Sequence, residues 1–180
     1  MESEKEKVPG FFLIEDANFV KKMKGPRGIE KLKKLLPSLN LDKLSPVRKY
    51  PLTQEIEMLR ATAKVVYGDD SPASWEKLGH HDFETVRDSS LGKILLSLWG
   101  NSFVNLVKNG SRLFFFFAPF VKFTYENLTE QGAIFTVENN PYPKEYYLGL
   151  FKSIQNMVKA GGEITVTKVN PKKHVYRLKY

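Results

Sequence analysis

The sequence predicts an α+β fold: an N-terminal helical layer followed by an antiparallel β-β-α-β-β sheet unit. Three observations carry that prediction. Tyr147, Leu150, Phe151, Ile154, Met157 and Val158 recur at the spacing of one helical face. Val121, Phe123 and Tyr125, then Ala133, Phe135 and Val137, then the stretch 163–169 alternate apolar and polar residues with period two. Before residue 113 the apolar positions instead fall three and four apart, the spacing of helices.

Taken in order, residues 1–9 read as a frayed tail. A first helix is expected over about 15–24, with Phe19, Val20 and Met23 inward and Gly25-Pro26 as its stop. A second covers about 28–36 and ends at Pro37, and Pro46 and Pro51 punctuate an irregular stretch. Thr53 is a good N-cap for a helix carrying Ile56, Leu59, Ala63 and Val66, closed by Gly68. Ser71-Pro72 supplies a cap and a first-turn proline for a short helix that Gly79 ends. Asp82 caps the next, striped by Phe83, Val86, Leu91, Ile94, Leu95 and Leu98 and broken at Trp99-Gly100-Asn101. Asn101 caps a shorter helix with Phe103, Leu106 and Val107, closed by Gly110. The run from Leu113 to Phe117 fits helix or strand equally, being apolar throughout. A hairpin across Asn127 to Gly132 joins the first two strands. The helix beginning near Lys144 turns Lys152, Gln155, Asn156 and Lys159 to solvent, and Gly161-Gly162 ends it. Asn170-Pro-Lys-Lys173 then leads into a last strand ending at Tyr180. The expected organisation is a single domain over residues 10–180, with a helical layer at 10–113 and a sheet layer at 114–180.

Composition narrows the function classes. A chain of 180 residues can bury a core in one domain without staples. It has no cysteine, which excludes disulfides, thiolate nucleophiles and cysteine metal sites and suits the cytoplasm. Met1-Glu-Ser-Glu-Lys-Glu-Lys7 lacks the apolar stretch of a signal peptide, and the apolar run from Leu113 to Val121 is too short to span a bilayer. A soluble cytoplasmic protein is expected. The net charge of +8 is uneven: residues 1–50 hold 12 Lys/Arg against 7 acids, 51–110 hold 6 against 8, and 111–180 hold 10 against 5. Lys21, Lys22, Lys24, Arg27, Lys31, Lys33 and Lys34 form the densest basic cluster. A solvated outer face of two short helices explains them, and no groove-binding motif accompanies them, so a nucleic-acid partner is not expected.

No constellation of catalytic residues is visible, so no enzyme activity, cofactor or metal ligand is assigned. His81 and Glu84 stand at i and i+3, and a metal would need a further ligand such as His174. The pairs Glu55/Glu57 and Asp69/Asp70 have no spacing that demands acid–base work, and exposure is the plain reading. Ser89-Ser90 lacks a nucleophile-elbow pattern, and Gly161-Gly162 follows a helix, whereas a phosphate loop precedes one. The aromatic density is the one feature that suggests binding. Leu95, Leu98, Phe103, Phe115, Phe116, Phe123, Phe135 and Phe151 form a candidate apolar pocket where helices meet sheet. The competing readings are a filled core and an exposed dimer patch.

Several short motifs carry a resemblance. Val8-Pro-Gly-Phe-Phe12, Tyr50-Pro-Leu52, Tyr67-Gly-Asp-Asp-Ser71, Trp75-Glu-Lys-Leu-Gly79, Leu91-Gly92, Tyr147-Leu-Gly149 and Gly161-Gly162 span nearly the whole chain. Together they resemble a domain-of-unknown-function family first grouped as myxobacterial paralogues. More distantly, the order of elements is similar to haem nitric-oxide/oxygen-binding (H-NOX), vinyl-reductase-like and TRAPP-like domains. H-NOX proteins hold haem through a helix histidine and a Tyr-x-Ser-x-Arg motif. The corresponding segments here, Gly100-Asn-Ser-Phe-Val-Asn-Leu-Val107 and Asn140-Pro-Tyr-Pro-Lys-Glu145, contain neither. The resemblance implies a fold and supplies no activity; the function expected is a haem-free, non-catalytic sensory or protein-interaction domain of a signalling or regulatory pathway, homodimeric or with a regulatory protein partner. The alternative is a binder of a hydrophobic small molecule, lipid or cofactor, between the layers.

Overall fold

The computed structural model describes residues 6–99 and 102–179. Within them the chain divides into two compact units, one up to Trp75 and one from Glu76. The division between them falls inside a helix.

In the first unit, β1 (Lys7–Pro9) pairs antiparallel with β2 (Lys49–Pro51), Val8 opposite Tyr50. Residues 7–9 are thus a strand and no part of a frayed tail. Val8 and Tyr50 are buried, and that burial ties the segment down. The stretch α1 (Gly10–Leu35) is two helices that meet at Gly25, where the sequence places the stop, and the first begins earlier than expected, at Gly10. Gly25 takes φ 64° and ψ −160°, a non-helical geometry that glycine adopts readily, so the first helix ends there and Pro26 stands at the start of the second. Helix α2 (Leu52–Tyr67) begins after Pro51, so Thr53 lies within it and is not its cap. Leu52, Glu55, Leu59, Thr62 and Val66 share its buried face, which places Glu55 inside and corrects its expected exposure. Gly68 closes α2, donating to the Lys64 carbonyl.

Helix α3 (Pro72–Asp88) runs straight through Gly79, the expected stop, and through Asp82, the expected cap. Asp69 and Ser71 cap its start: the Ser71 and Ser74 backbone N–H groups donate to the Asp69 carboxylate and the Ser71 hydroxyl.

From Glu76 on, the second unit contains the rest of α3, α4 (Ser90–Trp99), α5 (Phe103–Phe117), β3 (Lys122–Thr129), β4 (Gly132–Glu138), α6 (Lys144–Met157), β5 (Glu163–Asn170) and β6 (Lys173–Lys179). Helix α5 passes through Gly110, the expected end, and settles 113–117 as helix. The expected break at Gly100 and cap at Asn101 lie outside the described residues. Ser102 caps α5 by accepting from the Asn105 N–H, and the Glu130 carboxylate accepts from both the Ser102 hydroxyl and the Phe103 N–H. A negative charge from the β3–β4 turn thus faces the positive end of that helix.

The four strands form one antiparallel sheet in the order β3-β4-β6-β5. Phe123 lies opposite Val137, Phe135 opposite Tyr176 and Ala133 opposite Leu178, so one face collects the apolar side chains, as the period-two pattern requires. Helix α6 covers that face. Tyr147 and Phe151 are buried, but Leu150 and Ile154 are only half-buried, while Gly149, Ser153 and Gln155 are buried. Gln155, expected on the solvent side, turns in because its amide donates to the Gly161 and Gly162 carbonyls at 3.0 and 3.2 Å. No described helix is long and apolar enough to cross a membrane.

Candidate functional site

Of the eight predicted pocket residues, four come together. The Phe135 and Phe151 rings stack at 4.7 Å, Phe123 lies 5.3 Å from Phe135 and 6.0 Å from Phe151, and Phe103 meets Phe135 edge-on at 6.4 Å. Tyr176 joins them, 5.0 Å from Phe151. Phe103, Phe135 and Phe151 are buried and Phe123 is half-buried. Leu95 is half-buried on α4, and Leu98 is 75% exposed one turn on. The side chains of Phe115 and Phe116 lie outside the described residues.

The sequence reading missed a second, polar feature where α6 crosses α3. A Cβ at Gly79 would collide with the Tyr146 carbonyl, and one at Gly149 with the Glu76 carbonyl, so the two backbones touch. Close approach of helix to helix, and not of helix to sheet, is what Gly149 permits. Three polar pairs line the crossing. Lys152 Nζ donates to Glu76 Oε1 at 2.7 Å, Ser153 Oγ pairs with His80 Nδ1, and the Tyr146 hydroxyl donates to Asp82 Oδ2 at 2.7 Å.

The electrostatics single out Asp82. Burial of its carboxyl group, opposed by the hydrogen bond from Tyr146, pushes its pKa from 3.8 up to about 7. A carboxyl group so placed changes its protonation near neutrality. A signal existed in the sequence: Glu76, Gly79, His80 and then Tyr146, Gly149, Ser153 repeat at three and four, two small-and-polar faces able to meet.

The remaining histidines are engaged in other pairs. His81 Nε2 lies 3.3 Å from the Thr85 hydroxyl. His174 is buried on β6, and Asn140 Nδ2 lies 2.8 Å from its Nδ1 while Asn140 Oδ1 accepts from the Tyr142 N–H. Asn140 therefore donates to Nδ1 and the ring's own proton sits on Nε2. Burial lowers the His174 pKa, with Lys168 adding to the effect, so the ring stays neutral. Burial also pushes the Tyr176 phenol up, and its hydroxyl donates to the Lys144 carbonyl at 2.8 Å. His81, Glu84 and His174 do not converge, and among the described residues no group of three or more His, Asp or Glu side chains is placed to hold a metal.

Residues 13–180 match the family described as "Protein of unknown function (DUF2378)". The chain belongs to DUF2378. No curated protein matches this DUF2378 chain significantly. Its fold, in contrast, has solved counterparts. The Fe(II) unliganded H-NOX protein from K. algicida superimposes with a TM-score of 0.71 at 14% identity, covering 96% of each chain. A variant of the T. Tengcongensis H-NOX gives 0.63 at 13% identity, over 96% of this chain and 97% of its own. An oxygen-binding H-NOX domain related to soluble guanylate cyclases gives 0.65 at 14% identity, over 93% and 90%. The DUF2378 chain thus has an H-NOX-like mixed fold of helices and antiparallel sheet.

Proposed function

We propose that this protein is a haem-free, non-catalytic sensory or protein-interaction domain of a cytoplasmic signalling or regulatory pathway, acting as a homodimer or with a regulatory protein partner. The sensory part rests on the H-NOX-like fold. The observation that carries the interaction part is on α4, where Ile94 and Leu98, one turn apart, are 58% and 75% exposed. Two large apolar side chains on one helical face leave water when a partner covers them.

What supports the haem-free reading is the donor set. The three imidazoles pair with Ser153, Thr85 and Asn140. The segment from Asn140 to Glu145 contains no arginine for a propionate; its Asn140 instead holds His174 and its Tyr142 stacks on Tyr146 at 4.8 Å. These residues do not fit a haem. Ser153 Oγ pairs with His80 Nδ1, but that hydroxyl is buried in the helix crossing and lies 3.1 Å from the Gly149 carbonyl, an acceptor and not an oxyanion donor, so no reaction is assigned.

A second reading, a hydrophobic small molecule held against the sheet of the second unit, is favoured by Phe123, which stays half-buried while stacked beside Phe135 and Phe151. Native mass spectrometry of the purified protein separates the two. The expected result is a dimer that Ile94→Asp with Leu98→Asp converts to a folded monomer. A wild-type monomer carrying a stoichiometric apolar ligand would replace the interaction reading with the second one.

A further inference from the structure

Between Lys21 and Lys34, α1 carries seven basic residues and a single acid, Glu30. Lys33 is paired with Asp42 at 2.6 Å. Lys21, Lys22, Lys24, Arg27, Lys31 and Lys34 are exposed and make no ion pair among the described residues. After the Gly25 kink, Arg27, Lys31 and Lys34 stand at i, i+4 and i+7, a single stripe of the helix surface. Exposed apolar side chains stand near these charges: Leu35, four residues on from Lys31 and so beside the stripe, is 48% exposed, and Met23, on the other side of the Gly25 kink, is 52% exposed. Beside Leu35, a groove of about 300 Å³ is lined by Leu36, Pro37, Ser38 and Ala61 and by Glu57, Arg60 and Lys64 of α2, the two cations being paired with Asp70.

Two properties of this face narrow the partner. Its unpaired charge suits an anionic surface and would cost solvation energy against a neutral one. Its exposed Met23 and Leu35 gain only where the partner offers an apolar layer beneath its charge. A nucleic-acid backbone offers no such layer, and the chain has no aromatic residue between 20 and 49 on which bases could stack. An anionic bilayer offers both, phosphate and carboxylate outside and acyl chains a few ångströms below. We propose that this face of α1 docks the protein reversibly on an anionic phospholipid surface, the lysines and Arg27 against the headgroups, Met23 and Leu35 entering the layer beneath. Such an anchor is weak and salt-sensitive, since it relies on screened charge and two apolar side chains.

Co-sedimentation of the full chain with phosphatidylcholine vesicles, and with vesicles that also contain phosphatidylserine, tests this. The expected result is sedimentation with the mixed vesicles only, weakening as salt is raised. Arg27→Glu, Lys31→Glu and Lys34→Glu together should weaken binding at least about tenfold, and Met23→Ser with Leu35→Ser should weaken it at unchanged net charge. Reversing Lys108, Lys168 and Lys172 alters the net charge equally but on exposed positions of other elements, and should leave binding within about twofold. Circular dichroism confirms that each variant is folded. No binding to the anionic vesicles, or equal loss in the two triple variants, would overturn the proposal; tighter binding to duplex DNA than to the vesicles would reassign the face to nucleic acid.

Discussion

At Asp82, burial in the crossing of α3 and α6 outweighs the hydrogen bond from Tyr146, and the carboxyl group titrates near neutrality. In the unfolded chain the same group loses its proton near its ordinary value of 3.8. Between those two pH values the folded state binds the extra proton, so the Asp82 contribution to stability is complete below about pH 4 and is lost as pH rises through about 7. Asp82→Asn removes the titration. Relative to that variant, the wild-type unfolding free energy should fall by roughly 4 kcal/mol between pH 4 and 8, read from urea midpoints. A constant difference across that range would mean that Asp82 ionises normally. His174 works in the opposite direction, its neutral ring losing stability as pH falls below its ordinary 6.5, but it is present in both proteins and cancels. None of this was legible in the sequence, where Asp82 reads as a helix cap; a carboxyl group's environment comes from another helix 64 positions away.

Among the elements, α6 and the strands around it were the most legible, because a helical stripe and period-two alternation each point to one surface. Phe151 and Tyr147 are buried as that stripe predicts. Ile154 is only half-buried and Gln155 is buried, because α6 packs on two sides and the stripe reports one. The same omission explains Gly79 and Gly149. Local propensity marks a glycine within a helical pattern as a stop or a cost; here each is the contact point of two backbones. Gly149→Ala should therefore destabilise the fold by about 1–3 kcal/mol, as overpacking does. Gly161→Ala, whose Cβ would meet open space, should stay within about 0.5 kcal/mol. Chemical denaturation of both variants checks this, and equal midpoints would mean the crossing gives way without strain.

At the scale of the molecule, the class of fold and the strand–strand–helix–strand–strand succession follow from pattern alone, whereas the spatial order of the strands and the division at Trp75 do not. That division falls inside α3, a helix with no break in its hydrogen bonding for composition to betray. The short motifs reach the family because they are spread over nearly its whole length, and they stop short of a ligand because a fold does not by itself fix one. The proposed haem-free reading, which rests on the engaged imidazoles, has a direct check. Protein purified and then incubated with hemin should show no Soret band after gel filtration; a stoichiometric band surviving that step would reopen gas sensing.

The strand order has a consequence for how the chain is made. β6 is the last of the four strands to be synthesised, yet it lies between β4 and β5 and pairs with both. Until it emerges from the ribosome, the β3–β4 hairpin exposes the Phe135 edge and β5 has no partner at all. The nascent chain therefore carries two open strand edges beside a cluster of phenylalanines, the combination that invites association with other chains. α6 precedes β5 and β6 in the chain, so the helix whose Phe151 stacks on Phe135 is made before the strand that completes the sheet.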